Sequence, residues 1–165
     1  MALTQKFLKH ITLFIRKGFT QLANEKNITP YMAATSYNKL HAIVGEYPEL
    51  ELDPKLVKVS IGALPGVEAP TVGTDKGGLL IQWKDNQDAI GADKTDRLIL
   101  LAYDPEYPSK QLILGGAYRY HKKEFLNMEN FPSGKYELYA AFMTLEGDKT
   151  SDSIHLGAIN WEEEN

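Results

Sequence analysis

The chain has 165 residues, no cysteine and a formal net charge of −4. Its length fits one domain with an appendage or one compact two-part unit, and 43% apolar residues is ordinary for a folded protein. The lack of cysteine excludes disulfide bonds, cysteine zinc sites and thiol catalysis, and it leaves the cellular compartment open. We expect no signal peptide, and no run approaches the roughly 20 apolar residues of a membrane span.

Charge is unevenly distributed along the chain. Residues 1–26 contain five basic residues and one acidic residue, whereas the remainder contains 13 basic and 21 acidic residues. A basic head before an acidic body is compatible with electrostatic docking, either within the molecule or on an anionic partner. A helix with a solvated Lys and Arg face explains the same pattern more simply. The acidic body argues against a nucleic-acid partner.

Residues 1–48 are predicted to form a helical hairpin. Apolar residues recur at helical spacing from Leu3 to Leu22, which predicts one amphipathic helix of about 22 residues. Thr29-Pro30 has the pattern of an N-cap followed by proline at the first helical position, so a second helix is predicted to begin there and end near Gly45. Residues 47–54 contain two prolines and are predicted to form an extended connector.

Residues 55–160 are predicted to form an antiparallel β-sandwich of about seven strands. Apolar residues alternate or form short runs between turn residues, as expected for such a fold. The predicted strands lie near 57–63, 79–84, 98–103, 111–114, 118–125, 136–144 and 151–158. The continuous apolar run Leu98–Tyr103 predicts a strand that is buried on both faces or lies beneath the helices. A hairpin turn is predicted at Glu146-Gly147-Asp148.

Two aromatic residues make the predicted sandwich more specific. Ser133-Gly134-Lys135-Tyr136 opens the strongest strand and resembles the tyrosine corner of immunoglobulin-like sandwiches. Trp83, at the end of an early strand, lies where fibronectin type III-like domains place a core tryptophan. The predicted fold class is therefore α+β: an N-terminal helical hairpin followed by an immunoglobulin- or fibronectin III-like sandwich, in which both aromatics are structural.

The sequence contains no strong catalytic or metal-binding motif. His10, His41, His121 and His155 are scattered, without the spacing of metal ligands or of a catalytic pair. The acidic residues of 85–96 match no calcium-binding loop and predict a solvated polar loop. No nucleophile elbow or phosphate-binding glycine loop is present. We therefore expect a protein that is not an enzyme and that needs no cofactor or metal.

One short segment interleaves aromatic and cationic residues: Tyr118-Arg119-Tyr120-His121-Lys122-Lys123. Such a composition can stack on bases and neutralise phosphates, or it can line a sugar site. It is also typical of an exposed edge strand whose positive charges prevent further pairing. The edge-strand interpretation is favoured.

Short blocks along nearly the whole chain carry a family resemblance. They are Ala2-Leu3, Lys6-Phe7-Leu8, Phe14-Ile15-Arg16-Lys17-Gly18-Phe19, Thr29-Pro30, Ser36-Tyr37-Asn38, Tyr47-Pro48, Trp83-Lys84-Asp85-Asn86, Tyr103-Asp104-Pro105, Gly115-Gly116-Ala117 and Leu156-Gly157. In order and spacing they resemble a Bacteroidota family of unknown function. The resemblance implies no activity, substrate or catalytic residue. Similar proteins carry a Gly-rich basic segment ahead of the point where this sequence begins, which implies a truncated or processed form.

The favoured function is that of a structural, assembly or protein-interaction protein. The apolar stripe of the first helix is so broad that we expect more than one surface to cover it. A protein partner or a second copy of the chain would then bind the helical head. The candidate residues for this surface are Phe7, Phe14, Arg16 and Lys17.

The alternative function is that of a binding module of the sandwich class. Loops or an edge strand would hold a glycan or a peptide, and the basic helix would hold a polyanion. Tyr103, Tyr107, Tyr118 and Tyr120 motivate this hypothesis, because an exposed group of tyrosines would form an aromatic binding surface. Burial of all four would contradict it.

Overall fold

A computed structural model describes residues 2–163 of the chain, which form an α+β fold with four short helices and three antiparallel sheets. The helices are α1 (Ala2–Leu8), α2 (Thr12–Gly18), α3 (Thr20–Lys26) and α4 (Pro30–His41). The strands are β1 (Ile43–Val44), β2 (Glu51–Leu52), β3 (Thr71–Asp75), β4 (Gly78–Gln82), β5 (Arg97–Asp104), β6 (Ser109–Tyr118), β7 (Lys123–Asn127), β8 (Gly134–Met143) and β9 (Ile154–Trp161).

The prediction of one long first helix is wrong, because this part of the chain forms the three helices α1, α2 and α3. The break after α2 has a clear cause. The carbonyl of Gly18 accepts a hydrogen bond from the backbone N–H of Ile61 at 3.0 Å, so a distant segment takes the place of the next helical turn. Within residues 2–163, no helix is long and apolar enough to cross a membrane.

The predicted start of the second helix is confirmed. The Thr29 hydroxyl accepts a hydrogen bond from the backbone N–H of Met32 at 3.1 Å, and Pro30 is the first helical residue of α4. The helix ends at His41, earlier than predicted. The chain then turns into β1, which pairs with β2, so the predicted extended connector is in fact part of a small antiparallel hairpin.

Seven strands form the two larger sheets, in the orders β3-β4-β7 and β6-β5-β8-β9. The sheets share one apolar cluster, as a two-sheet sandwich requires. Its buried members are Leu64, Val67, Leu79, Ile81, Trp83, Leu98, Leu100, Ala102, Leu126, Met128, Tyr136, Leu138, Ala140, Phe142 and Trp161. Trp83 and Tyr136 are thus buried in the core, as predicted.

Two strand predictions are wrong in position. Residues 57–63 alternate but form no named strand, because their backbone groups bond mainly to side chains and to a helix end. For example, the N–H of Lys58 donates to the side chain of Asn38 at 2.8 Å. Residues Arg119–His121 form a 3₁₀ turn, so β7 begins only at Lys123. Strand β3 was not predicted, since its residues are mostly exposed and lack apolar alternation.

The helices cover the other face of the four-stranded sheet. A second apolar cluster joins α1–α4 to β5 and β8, with Ile99, Leu101 and Tyr103 contributed by β5. Residues Leu98–Tyr103 are therefore buried on both faces, as predicted for the continuous apolar run. The prediction of a boundary between residues 1–48 and 55–160 stays a prediction.

Candidate functional site

The end of β6 and the turn that follows bring three aromatic side chains together at the surface. The rings of Tyr118 and Tyr120 stack with centroids 5.8 Å apart and planes 20° apart. The His121 ring lies against both, with centroids at 5.3 and 4.4 Å. Tyr120 is 42% exposed, and Tyr118 is partly buried. We call Tyr118, Tyr120 and His121 the aromatic surface.

The geometry of the 3₁₀ turn places these rings on the outside. The backbone N–H of Tyr118 donates to Nδ1 of His121 at 3.0 Å, which closes the turn. Lys122 follows in the left-handed conformation with φ of 63° and redirects the chain into β7. Between the two tyrosines, the side chain of Arg119 is fully buried, whereas the rings on either side of it reach the surface.

Arg119 is the polar centre of the sandwich core and is not available to a polyanion. Its guanidinium lies 3.0 Å from Asp96, donates to Asn86 at 2.8 Å, and packs 4.0 Å from the centre of the Phe142 ring. Burial lowers the pKa of Arg119, and the bond with Asp96 opposes this effect. The Trp83 indole N–H donates to the Arg119 carbonyl at 2.9 Å.

This buried arginine also revises the interpretation of the acidic loop. Asp96 is almost fully buried, and its Oδ2 also accepts a hydrogen bond from the N–H of Asp93 at 2.9 Å. The loop over residues 85–96 is therefore fixed to the core near both ends, through Asn86 and Asp96, and is only partly a solvated loop. Within residues 2–163, no group of three or more His, Asp or Glu side chains is placed to hold a metal ion.

A cavity of about 550 Å³ adjoins the aromatic surface. It is lined by Asp85, Gln87, Lys94, Thr95, Tyr118, Tyr120 and Lys122. Hydrogen bonds from the backbone and the side chain of Gln87 lower the pKa of Asp85, so this carboxyl group is ionised at neutral pH. Aromatic rings, an anionic acceptor and two cationic donors thus meet at one end of the sandwich. Such a set can bind a ligand that has both apolar faces and hydroxyl groups.

A second cavity, of about 660 Å³, lies between residues 53–58 and the paired strands β8 and β9. Glu137 and His155 are among its lining residues, with 2.6 Å between the Glu137 Oε2 and the His155 Nε2. Lys55, Lys58 and Lys135 also line it. Glu137 lies opposite Tyr103 in the sheet, whereas Tyr118 lies opposite Arg97. The two cavities are therefore about 20 Å apart along β5.

Sequence reasoning missed the Glu137–His155 pair. The predicted turn at residues 146–148 places the two residues on neighbouring strands, so their proximity could have been inferred. That the two side chains lie close together on one side of the sheet could not be inferred, because β9 contains one extra residue. Leu138 pairs with Gly157 whereas Tyr139 pairs with His155, and this bulge sets the side of β9 on which His155 lies.

The structure places the candidate residues of the helical head in two different environments. Phe7 and Phe14 are buried, and Phe7 packs edge-on against Tyr103 with ring centroids 5.1 Å apart. The apolar stripe is thus covered largely within the molecule, and these two residues offer no exposed surface. Arg16 and Lys17 are exposed, as expected for a solvated basic face.

The four candidate tyrosines do not form one group. Tyr103 is buried beneath the helices, and Tyr107 is 76% exposed in the turn between β5 and β6. Tyr118 and Tyr120 lie at the opposite end of those strands. The structure therefore brings together only Tyr118 and Tyr120 of the predicted set.

Comparison with known proteins agrees with the resemblance to a family of unknown function. No curated protein matches the chain. Residues 1–157 match the family of unknown function DUF6266. Because the match covers most of the sequence, the chain belongs to the DUF6266 family.

Proposed function

We propose that this protein is a non-enzymatic binding module that holds a glycan at the aromatic surface. The observation that carries the proposal is the stacked, partly exposed pair of Tyr118 and Tyr120 beside a cavity with charged side chains. Sugar rings present apolar C–H faces, which pack on aromatic rings, and hydroxyl groups, which need both donors and acceptors. Asp85 supplies acceptors here, and Lys94 and Lys122 supply donors.

The position of the site supports the same function. We propose that the sandwich is fibronectin III-like, with the first, second and fifth of its seven strands in one sheet and the other four in the second. The Tyr136 hydroxyl donates to the Pro132 carbonyl at 2.8 Å, the bond that defines a tyrosine corner. In such sandwiches, loops at one end present the binding residues on a rigid scaffold. The aromatic surface and the loop 85–96 lie at such an end.

Affinity electrophoresis through gels that contain soluble polysaccharides tests the glycan proposal. The panel would include dextran, mixed-linkage β-glucan, xylan and polygalacturonate. We expect at least one polymer to retard the protein, and we expect Tyr120→Ala to abolish that retardation. Tyr107→Ala is the matched control, since it removes an exposed tyrosine at the other end of the sheet. Absence of retardation in every gel, or equal loss in both variants, would overturn the proposal.

Protein interaction through the β1–β2 hairpin is a second candidate, carried by a separate observation. Leu40, Val44, Tyr47 and Leu50 lie on or beside this hairpin, and they are 77%, 36%, 87% and 39% exposed. Several large apolar side chains in one short exposed segment indicate an interaction surface.

Sedimentation velocity over a wide concentration range tests self-association through this hairpin. We expect reversible dimers that Tyr47→Ser disrupts. Leu13→Ser is the control, because Leu13 is 54% exposed on α2 and far from the hairpin in sequence. A protein that stays monomeric at all concentrations would remove self-association as a function of this surface.

A further inference from the structure

We propose that the cavity between residues 53–58 and strands β8–β9 binds a phosphate or sulfate ester group of a small molecule. Lys55, Lys58 and Lys135 line this cavity, and we call it the lysine groove. Its volume of about 660 Å³ is within the range of small-molecule sites. The site is independent of the aromatic surface and does not rest on the glycan proposal.

None of the three groove lysines forms an ion pair with a carboxylate of the described residues. Across residues 2–163, the ion pairs within 4.0 Å are Lys84–Glu68, Arg119–Asp96 and His155–Glu137, so none of them involves a groove lysine. A concave site lined by uncompensated cations attracts anions, because the protein walls focus the positive potential. The residues outside the basic head carry 13 basic and 21 acidic groups, so this positive site lies on a body whose net charge is negative.

Lys58 gives the strongest single indication. Its side chain is partly buried, and within residues 2–163 its Nζ donates one hydrogen bond, to the Ser153 carbonyl at 2.8 Å. An ammonium group has three donors, and a partly buried cation is stabilised by a counterion. The structure therefore leaves two donors of Lys58 for a ligand with several acceptor oxygens.

The floor of the groove does not cancel this charge. Glu137 is held by His155 at 2.6 Å, and the Oδ1 of Asp53 accepts the backbone N–H of Lys55 at 3.0 Å. These are the two carboxylates among the lining residues, against three lysines. The groove therefore keeps an excess of positive charge whether or not His155 carries a second proton.

The lining favours a small oxyanion over a nucleic acid. Among the lining residues there is no tryptophan, tyrosine or phenylalanine on which bases could stack. Lysine ammonium groups act as point charges that suit phosphate and sulfate oxygens. Phosphate and sulfate esters share this tetrahedral oxyanion chemistry, so the experiment must distinguish them.

An NMR titration of the ¹⁵N-labelled full chain provides the test. The probes are glucose 6-phosphate, glucose 6-sulfate and glucose, each at matched ionic strength, with sodium chloride as the salt control. We expect saturable shifts of the amides of Lys58, His155 and Gly157 with at least one ester and none with glucose. The ester that binds with the higher affinity shows whether the groove prefers a phosphate or a sulfate group. Shifts that merely follow ionic strength, or no saturable shifts with either ester, would overturn the proposal.

Substitution then tests the lysines themselves. Lys135→Met and Lys58→Met each remove a charged donor while keeping an apolar side chain, and each is expected to weaken ester binding about tenfold. Lys149→Met is the matched control, because Lys149 is exposed in the β8–β9 turn outside the groove. Lys135 is exposed, so its variant remains informative if loss of the Lys58 hydrogen bond prevents folding. Unchanged ester affinity in Lys135→Met would overturn the proposal.

The same titration in Tyr120→Ala separates the two sites. Ester binding in the lysine groove should be unchanged in this variant, whereas glycan retention should be lost. Loss of ester binding in Tyr120→Ala would instead assign the esters to the aromatic surface and overturn the groove proposal.

Discussion

The sheet β6-β5-β8-β9 separates two cores whose buried polar groups differ in kind. Towards β3-β4-β7, the polar centre is a charged pair, in which Arg119 lies 3.0 Å from Asp96 and both side chains are almost fully buried. Towards the helices, the buried groups that join the helices to residues 57–63 are neutral, and the buried carboxylate on this face, Glu137, lies beside the lysine groove and bonds to His155. One side of the sheet thus depends on an ion pair, and the other depends on the close approach of the helices to the backbone of residues 57–63.

Two residues show how the helix side is built. The Gly18 carbonyl accepts the N–H of Ile61 and the hydroxyls of Ser60 and Thr150 at 3.0, 3.1 and 3.2 Å. Asn38 is buried in α4, and its side chain bonds to the N–H and the carbonyl of residue 58, both at 2.8 Å. These bonds satisfy backbone N–H and carbonyl groups of residues 57–63, a segment that has no full strand partner. The contrast predicts that substitutions on the two sides of the sheet destabilise the protein for different physical reasons.

The largest effect is expected from Arg119→Met. The variant leaves the Asp96 carboxylate buried without its cation, and breaking a buried pair in this way costs about 3–5 kcal/mol of unfolding free energy. Urea denaturation measures the loss. The double variant Arg119→Met/Asp96→Asn removes the unpaired charge and should be more stable than Arg119→Met alone. A loss below about 1 kcal/mol for the single variant would show that the pair is not the centre of this core.

Gly18→Ala should destabilise the helix side by about 1–3 kcal/mol, the usual range for overpacking. An added Cβ would lie 2.1 Å from the Val59 carbonyl oxygen, so the 57–63 segment must move away from α2. Gly73→Ala is the matched control, since its Cβ would meet nothing within 4 Å. We expect that control to stay within about 0.5 kcal/mol of the wild type in the same denaturation experiment. Equal stability of the two variants would contradict the close approach.

The same contrast explains what the sequence could and could not predict. Patterns that are satisfied locally were found: the Thr29-Pro30 helix start, the buried run Leu98–Tyr103, and the burial of Tyr136. The break at Gly18 was missed because its cause is a hydrogen-bond partner more than forty residues away. Apolar alternation in 57–63 marked the burial of Val57 and Val59 but not that of Ser60, and it could not show that a helix end and side chains replace the strand partner.

The candidate sites follow the same rule. The aromatic surface lies in a segment that composition alone singled out, although the buried Arg119 shows that one of its cations has a structural role. The lysine groove combines three separate parts of the chain, and a one-residue bulge in β9 sets the side on which His155 lies. Neither short motifs nor periodicity encodes such a bulge.

Alkaline pH should weaken the molecule through its buried tyrosines. Burial, together with the charge of Asp104, raises the pKa of Tyr103 to about 12, and burial also raises the pKa values of Tyr136 and Tyr139. An unfolded tyrosine titrates near pH 10. The stability linked to each protonated hydroxyl is therefore fully present below about pH 10 and is lost as pH rises through the folded pKa.

Denaturation of Tyr103→Phe at several pH values checks this assignment. The variant should show a shallower loss of stability between about pH 10 and 12 than the wild type, because one of the raised pKa values is gone. Tyr107→Phe is the control, since Tyr107 is exposed, and its pH profile should match the wild type. A profile for Tyr103→Phe that is equally steep would contradict the role of Tyr103.

The smallest effects compare one bond type on the two sides of the sheet. The Tyr136 hydroxyl donates to the Pro132 carbonyl at 2.8 Å on the sandwich side, and the Tyr139 hydroxyl donates to the Pro54 carbonyl at 2.7 Å on the helix side. Replacing either tyrosine by phenylalanine should cost about 0.5–1.5 kcal/mol at neutral pH. The Tyr103 hydroxyl is buried and, within the described residues, has no hydrogen-bond partner, so Tyr103→Phe should be neutral or stabilising.

Urea denaturation of these three variants therefore separates a hydroxyl that bonds from one that is only buried. Tyr139 links β8 to a segment 85 residues away, whereas the Tyr136 bond spans four residues. Since the distant bond must be made against a larger loss of chain entropy, it forms only in the folded state. The local Tyr136–Pro132 bond can partly persist in the unfolded chain, which reduces the measured loss of unfolding free energy. We thus expect Tyr139→Phe to be the more destabilised of the two. The reverse order would show that the Tyr136–Pro132 bond contributes more than the contact between β8 and residues 53–58.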